Sequence, residues 1–226
     1  IALSRQQALW NQLEVVANNL ANVNTTGFKS SDTLFSQYVY KVKSDDRTFK
    51  DRVAFTHDFG LVRNLAQGTF NYTGNTFDLA IQGDGYFVTQ KAGSAAGGGP
   101  ETRYTRAGSF TVNNEGQLVT QAGMLVLSTD NQPIAIPADA GEITVQGDGA
   151  VKAKDGRTVG KIQVVRFADE RDLKAVDGTQ FRADTGQAAE PIAIPKIAQG
   201  VLEDSNVNAI SEMTRLININ RAYADV

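Results

Sequence analysis

The first part of the chain carries apolar residues at the spacing of one helix face. These residues are Ala2, Leu9, Leu13, Val16, Leu20 and Val23. At 100° per residue they lie within an arc of about 80°, which is narrower than the stripe of a helix that packs on a globular core. So narrow a seam is typical of coiled-coil pairing. We therefore predict an N-terminal helix in residues 1–27, ended by Gly27, because glycine supplies the left-handed conformation that terminates many helices.

The end of the chain shows a second helical pattern. Its apolar residues keep to one side and are Val207, Ile210, Met213, Ile217 and Ala224, with Leu216 at the margin. Asn206 or Asn208 can cap this helix, and Glu212 would lie in its first turn, where the helix dipole favours a carboxylate. We predict a C-terminal helix in residues 198–226. The sequence begins without methionine and stops inside this pattern, so we expect further residues at both ends.

The chain between the helices divides into two parts. Residues 28–67 follow neither the helical nor the strand period, and residues 41–52 are strongly charged. We predict an extended or irregular connector there, with one or two short strands. In residues 68–197, short strand-like runs alternate with turn dipeptides, which is typical of a β domain. The predicted fold class is α+β, with terminal helices pairing in a coiled-coil-like layer and a central, mainly antiparallel β domain.

Turn residues suggest hairpins within the β domain. Residues 79–81 and 86–88 flank a Gly-Asp-Gly turn, residues 109–112 and 117–119 flank Asn-Asn-Glu-Gly, and residues 143–145 precede another Gly-Asp-Gly. Glycine and asparagine take the positive φ angles that tight hairpin turns require. The longest strand candidate is 159–167.

Composition excludes several classes of function. The 226 residues include 22 basic and 25 acidic residues, so the net charge of −3 gives no electrostatic reason to expect a nucleic-acid partner. The chain has no cysteine and one histidine, His57, so we expect no metal site, no cofactor and no catalytic triad. No run of about 18 apolar residues is present that would predict a membrane span.

Two alternatives remain at this point. A β-rich module that binds glycan would need an exposed aromatic platform, for which the candidates are Tyr86, Phe87, Tyr104 and Phe110. A hydrolase acting on the cell wall would need paired acids in a cleft, for which the candidates are Glu101, Glu115, Asp139 and Glu142. The aromatic residues follow strand-like runs, which favours packing, and the acids form no motif.

Four segments in the same order resemble one protein family. They read VVANNLANVNTTGFK (15–29), TGNTFDLAIQGDGYF (73–87), YTRAGSF (104–110) and QGVLEDSNVN (199–208). They are similar to the motifs of bacterial flagellar rod and hook proteins, and together they span nearly the whole chain. The N-terminal segment is the longest match, and the family motif residues in it are Asn18, Asn19, Asn22, Asn24, Gly27 and Phe28.

The resemblance implies a structural, non-enzymatic subunit of the flagellar basal-body rod, which transmits torque across the periplasm. It implies export through the flagellar type III apparatus without a Sec signal, and copies of itself and other rod proteins as partners. The length argues against a hook protein. Residues 211–217 resemble the proximal rather than the distal rod members of the family, and the distal rod or hook type is the alternative within it.

The predicted helices are expected to be only marginally stable without partners. A helix of about 23 residues with a narrow seam is marginal alone, so we expect mobile ends in the free subunit and helices stabilised by assembly. The predicted assembly interface comprises Leu9, Leu13, Val16, Leu20, Val23, Val207, Ile210, Met213 and Ile217. The sequence leaves open whether the buried environment comes from the same chain or from a neighbour.

Overall fold

The computed structural model describes residues 2–41, 52–91, 101–170, 173–183 and 188–225, with the backbone alone for residues 2, 35–41 and 52–59. The chain divides into two compact units. Unit 1 comprises Ile1–Val23, Lys29–Ala66 and Val207–Val226, and unit 2 comprises Asn24–Phe28 and Gln67–Asn206. The described residues form two helices and antiparallel sheets joined by turns and irregular segments, which confirms the predicted α+β class.

Unit 1 contains both helices and one hairpin. Helix α1 spans Ala2–Ala21 and helix α2 spans Ala209–Ala224, while strands β1 (Ser31–Lys41) and β2 (Arg52–Arg63) pair antiparallel along their length. The register shifts between Leu34 and Phe35, opposite Gly60, whose φ is 131°. Helix α1 contacts α2 and both strands. Neither helix in the described part of the chain is long and apolar enough to cross a membrane.

The hairpin corrects the prediction of a connector with one or two short strands. Strands β1 and β2 have 11 and 12 residues. The sequence concealed them because apolar residues such as Tyr38, Val39 and Tyr40 are consecutive, so the period-two alternation that reveals strands is absent. The charged residues 42–51 lie outside the described residues.

The start of α2 confirms one of the two predicted caps. The side chain of Asn208 accepts a hydrogen bond from the backbone N–H of Ser211, and Glu212 lies in the first turn. Because the cap is at Asn208, residues 198–206 are not helical, contrary to the predicted helix in 198–226. They contain two short strands instead, β17 (Ile197–Gln199) and β18 (Val201–Glu203).

The end of α1 corrects the role assigned to Gly27. The helix stops at Ala21, where the N–H of Asn22 donates to the carbonyls of Asn18 and Asn19 in a tightened last turn. Gly27 does have a positive φ of 69°. Glycine is also required at this position because the backbone of another segment approaches it closely. A Cβ at Gly27 would lie 2.5 Å from the backbone nitrogen of Ala107.

Unit 2 is built from short antiparallel strands. In chain order these are β3 (Phe70–Tyr72), β4 (Leu79–Ile81), β5 (Tyr86–Gln90), β6 (Thr102–Thr105), β7 (Phe110–Val112), β8 (Leu118–Thr120), β9 (Leu125–Val126), β10 (Thr144–Val145), β11 (Ala150–Lys152), β12 (Thr158–Lys161), β13 (Val164–Arg166), β14 (Lys174–Asp177), β15 (Gln180–Arg182), β16 (Glu190–Pro191), and then β17 and β18.

Among the described residues these strands form four sheets. The largest follows the order β14-β15-β6-β5-β9-β8-β7, and β13 pairs with both β5 and β16. A second sheet has the order β10-β11-β12, while β17 pairs with β4 and β18 pairs with β3. Two clusters of buried apolar side chains fill the unit, one around Phe87 and Ile134 and one around Tyr86 and Phe181.

The predicted hairpins are confirmed in part. Residues 110–112 pair with 118–120, and residues 144–145 pair with 151–152. The proposed pairing of 79–81 with 86–88 is wrong, because β4 pairs with β17 from far along the chain. All three side chains of β4 are buried, so its residues do not alternate between core and solvent. The turn residues after β4 were therefore the only local signal, and they did not identify its partner. The long strand predicted for 159–167 is divided into β12 and β13.

Candidate assembly surface

The predicted seam of α1 faces the interior of unit 1. Val16 is buried, and Leu9, Leu13, Leu20 and Val23 are partly buried. Because α1 contacts α2 and the hairpin, much of this seam is covered within the same chain.

The predicted seam of α2 is exposed. Ile210 and Ile217 are 78% and 51% accessible, Met213 is likewise exposed, and Val207, just before the helix, is partly buried. The buried side chain of α2 is Ile219, at 6%. On a regular helix Ile219 lies about 180° from Ile210, so the predicted seam and the inward face are opposite faces of the same helix.

The inward face of α2 is the feature that sequence reasoning missed. Its members share burial or partial burial and are Ala209, Glu212, Leu216, Ile219 and Ala222. Apart from Glu212 these residues are apolar, and their spacing of three and four residues was visible in the sequence, so α2 carries two largely apolar stripes. Sequence alone could not tell which stripe faces the chain's own interior.

Helix α1 also presents apolar side chains outward. Leu3 is 77% exposed, and Trp10, seven residues later, is also exposed. The indole Nε1 of Trp10 donates to Glu14 Oε1 over 3.0 Å. Both residues lie roughly 120–140° around the helix from Val16, away from the inward face. Their heptad spacing was the signal for this second stripe.

Asn19 connects three elements of unit 1. Its side chain is almost completely buried, at 1% exposure. Its Nδ2 donates to the carbonyl of Ser31 over 2.9 Å and to Glu212 Oε2 over 3.2 Å, and its Oδ1 accepts from the N–H of Ser31 over 3.0 Å. One amide thereby joins α1 to the first residue of β1 and to the first turn of α2. A buried polar group with all these partners fixes the register of the elements it joins.

A second polar contact lies beside Asn19. Arg215 on α2 forms an ion pair with Asp32 on β1, and its Nη1 is 3.7 Å from Glu212 Oε1. The hydrogen bond to Asp32 raises the pKa of the Arg215 guanidinium, burial lowers it, and the charges of Asp32 and Glu212 raise it again. The net direction is upward, so Arg215 stays cationic at physiological pH.

The other family motif residues have separate positions. Asn18 is exposed, and both its backbone carbonyl and its Oδ1 accept from Asn22 Nδ2 over 2.9 Å. Asn24 is exposed in unit 2, where Gly27 and Phe28 are buried. The motif is therefore divided between the two units, and Asn19 alone of its asparagines is buried.

The aromatic candidates for glycan binding are core residues, and Glu101, one of the candidate acids, is paired with an arginine. Tyr86, Phe87 and Phe110 are buried and Tyr104 is partly buried, in edge-to-face pairs such as Phe87–Phe110 at 5.1 Å. They are core residues, so they provide no exposed platform. Glu101 pairs with Arg103, whose hydrogen bond lowers the pKa of that carboxyl.

The side chains of the described residues do not gather into a metal site. These residues contain no group of three or more His, Cys, Asp or Glu side chains placed to hold a metal ion. His57 pairs with Ser36 in the hairpin, and its side chain lies outside the described set. A cleft of about 410 Å³ in unit 2 is lined mainly by hydroxyl, amide and alanine groups, with Asp177 as its carboxylate. Such a lining supplies no acid–base pair.

Comparison with known proteins places three matches along the chain. Residues 1–29 match the model described as flagella basal body rod protein, and residues 80–153 match the flagellar hook protein FlgE/F/G D1 domain. Residues 198–224 match the C-terminal model of the flagellar basal body rod FlgEFG proteins.

Individual relatives match over almost the full chain. The flagellar basal-body rod protein FlgF of Caulobacter vibrioides is 43% identical, covering 100% of this chain and 89% of that protein. FlgG of Agrobacterium fabrum is 34% identical, covering 99% and 90%. FlgG of Bacillus subtilis is 32% identical, covering 94% and 85%.

Proposed function

Because the chain belongs to the family of flagellar basal-body rod proteins, and is thus a structural subunit and not an enzyme, we propose that it joins the rod by burying its terminal helices against neighbouring subunits. The observation that carries this proposal is the second apolar face of α2. Ile210, Met213 and Ile217 are exposed in the chain, while α2 already has an inward face at Ile219.

The energy available from this face is sufficient to matter. Complete burial of a large apolar side chain is worth about 1.5–3 kcal/mol, so three such residues favour association by several kcal/mol per subunit. The spacing of three and four residues among Ile210, Met213 and Ile217 fits the seam of a coiled coil. We propose that α2 packs in a coiled-coil-like layer against helices of other rod subunits, with its opposite face held by α1.

Helix α1 has a matching role in this scheme. Its inward face contains the partly covered residues Leu9, Leu13 and Leu20, and its outward face presents Leu3 and Trp10. Exposed tryptophan is enriched at the energetic centres of protein interfaces. In this scheme the two assembly helices are α1 (Ala2–Ala21) and α2 (Ala209–Ala224), and the β-rich part contacts neighbouring subunits.

The finer assignment is to the proximal rod, spanning the periplasm and transmitting torque. It is supported by the likeness of residues 211–217 to proximal members and by the higher identity to the FlgF relative. Export through the flagellar type III apparatus, without a Sec signal, accompanies this assignment. Partners are copies of this chain and other rod proteins.

The proposal is tested by Ile217→Asp. An unpaired carboxylate in a buried interface costs several kcal/mol, so the variant should abolish motility and be missing from purified basal bodies. Ile217 is half-exposed in the free chain, so circular dichroism should show an unchanged fold.

The matched control is Asn218→Asp, which adds the same charge at an exposed position about 100° around the helix. We expect this strain to swim. A motile Ile217→Asp strain with normal rods would overturn the proposal.

A further inference from the structure

Glu203 is a buried carboxylate at which several parts of unit 2 meet. Its side chain is 1% exposed, and its Oε2 accepts from Arg106 Nη1 over 3.0 Å. Its Oε1 accepts from the backbone N–H of Gly68 over 3.0 Å, and its own carbonyl accepts from the N–H of Gly27 over 2.7 Å. One residue therefore binds both of the other segments that lead out of unit 2.

Arg106 completes the arrangement. Its side chain is also buried, and its second amino group donates to the carbonyl of Gly83. The guanidinium carbon lies 5.6 Å from the centre of the Tyr86 ring, within range of a cation–π contact. Tyr86 belongs to the core of unit 2, so the ion pair is connected directly to that core.

This cluster lies close to the points at which the chain passes between the two units. The chain passes between the two units after residues 23, 28, 66 and 206. Gly27, Gly68 and Glu203 lie within about four residues of the last three passages. Backbone bonds add to the side-chain contacts: the N–H of Asp204 donates to Thr69 and that of Asn206 to Phe28.

Glycine is required where these segments cross. A Cβ at Gly68 would lie 1.9 Å from the carbonyl oxygen of Asp204, and one at Gly27 would lie 2.5 Å from the nitrogen of Ala107. Both distances are shorter than any Cβ contact, so no other residue permits this approach. The crossing segments are in contact at the backbone level, with the ion pair beside them.

We propose that Arg106 and Glu203 are positioning residues that clamp the connecting segments 24–28, 67–69 and 203–206 at one point of unit 2. This inference rests on the proposed function, since a rod subunit must pass force between its helices and its β-rich unit through these segments. With the clamp, the three segments leave unit 2 from one fixed point instead of moving as independent linkers. Three motifs recognised in the sequence, containing Gly27, Arg106 and Glu203, thus meet in one structure.

A buried ion pair has two distinguishable roles. If it only fills space, an apolar pair of similar volume replaces it without loss, and such replacements often stabilise a protein. If it positions the segments, the apolar pair leaves the N–H of Gly68 without its carboxylate acceptor, and the segment is released even though the core remains packed.

The test compares Glu203→Gln and the double variant Arg106→Met/Glu203→Leu with the wild type, using full-length chains. Amide exchange by NMR is expected to become about tenfold faster at Gly68 and its neighbours in the double variant. It should rise less in Glu203→Gln, whose amide oxygen can still accept from that N–H, and the exchange of Phe87 and Val88 should be unchanged in both. Both variants should assemble fewer rods. Glu101→Gln, in the more exposed pair with Arg103, is the matched control and should change neither readout.

Each other outcome overturns the clamp. Normal rods from the double variant would show that the pair only fills space. Unchanged exchange at Gly68, or equal acceleration throughout unit 2, would show that it does not act locally. Loss of the β fold in both variants would make it a core stabiliser. Because exchange is measured on the free subunit, local release with normal rods would refute the clamp and leave the proposed function intact.

Discussion

Asn19 is the residue that joins the parts of unit 1. A leucine at this site would bury more apolar surface, yet the amide satisfies both the N–H and the carbonyl of Ser31 and also reaches Glu212. Hydrogen bonds of this kind fix which residues lie opposite each other, whereas apolar contacts permit sliding. A fixed register would matter for the proposed assembly, in which the helices repeat along a polymer.

Asn19→Ala is therefore expected to destabilise unit 1 selectively. Removing the amide eliminates the hydrogen bonds to Ser31 and Glu212, which should cost about 1–3 kcal/mol. Trp10 is the single tryptophan of the chain and lies on α1, so its fluorescence reports the unfolding of this unit. The midpoint of its urea transition should fall.

Asn18→Ala is the adjacent control for this prediction. Asn18 is exposed and bonds only locally to Asn22 among the contacts described, so its removal should cost less than about 0.5 kcal/mol. Equal shifts in the two variants would contradict the role given to Asn19.

At the residue scale, the sequence reveals features that depend on residues close in the chain and hides those that depend on distant ones. The seam of α1, with Val16 at its centre, and the cap at Asn208 could be predicted, because both depend on residues close in the chain. The close approach that requires glycine at position 27 could not be predicted, since the atoms approached belong to Ala107, 80 positions away in the sequence. A glycine required by local conformation and one required by a distant neighbour look the same in a sequence.

At the scale of elements, α2 is the helix with two apolar stripes. One apolar stripe contains Ile219 and faces inward, and the other contains Ile210 and Ile217 and is exposed. A helix that is apolar on opposite faces is normally buried on both. The hairpin β1–β2 is similar, because a two-stranded ribbon is marginal alone and depends on contacts such as those with α1.

We expect these elements to be the least protected in the free subunit. Hydrogen exchange measured by mass spectrometry should be about a hundredfold faster in α1, α2 and the described parts of the hairpin than in β5, where four of five side chains are buried. The same segments should become protected in assembled rods. Ends as protected as β5 in the free chain would contradict this expectation.

The strands illustrate what sequence patterns reveal about elements. The hairpin of β7 and β8 was predictable because Asn113 and Gly116 form the turn between them, and Asn113 Oδ1 accepts from the N–H groups of Glu115 and Gln117. The pairing of β4 with β17 was not, because the two strands are separated by more than a hundred residues and no local signal joins them.

At the scale of the whole molecule, the two units have different requirements. Unit 2 has two clusters of buried apolar side chains, such as the one containing Phe87, Leu118 and Ile134. Unit 1 has few buried apolar residues in its helices and an exposed stripe on α2. We propose that the polymer supplies the missing burial, so that folding of the helices and growth of the rod are linked.

Burial of the exposed face of α2 in the rod can be tested directly by cysteine labelling, because the chain contains no cysteine. A single Ile217→Cys variant that still supports swimming is labelled with a maleimide, first as free subunit and then in purified basal bodies. We expect rapid labelling of the free subunit and labelling at least about tenfold slower in basal bodies, with rapid labelling restored when they are unfolded in denaturant. Equally rapid labelling in intact basal bodies and in the free subunit would contradict it.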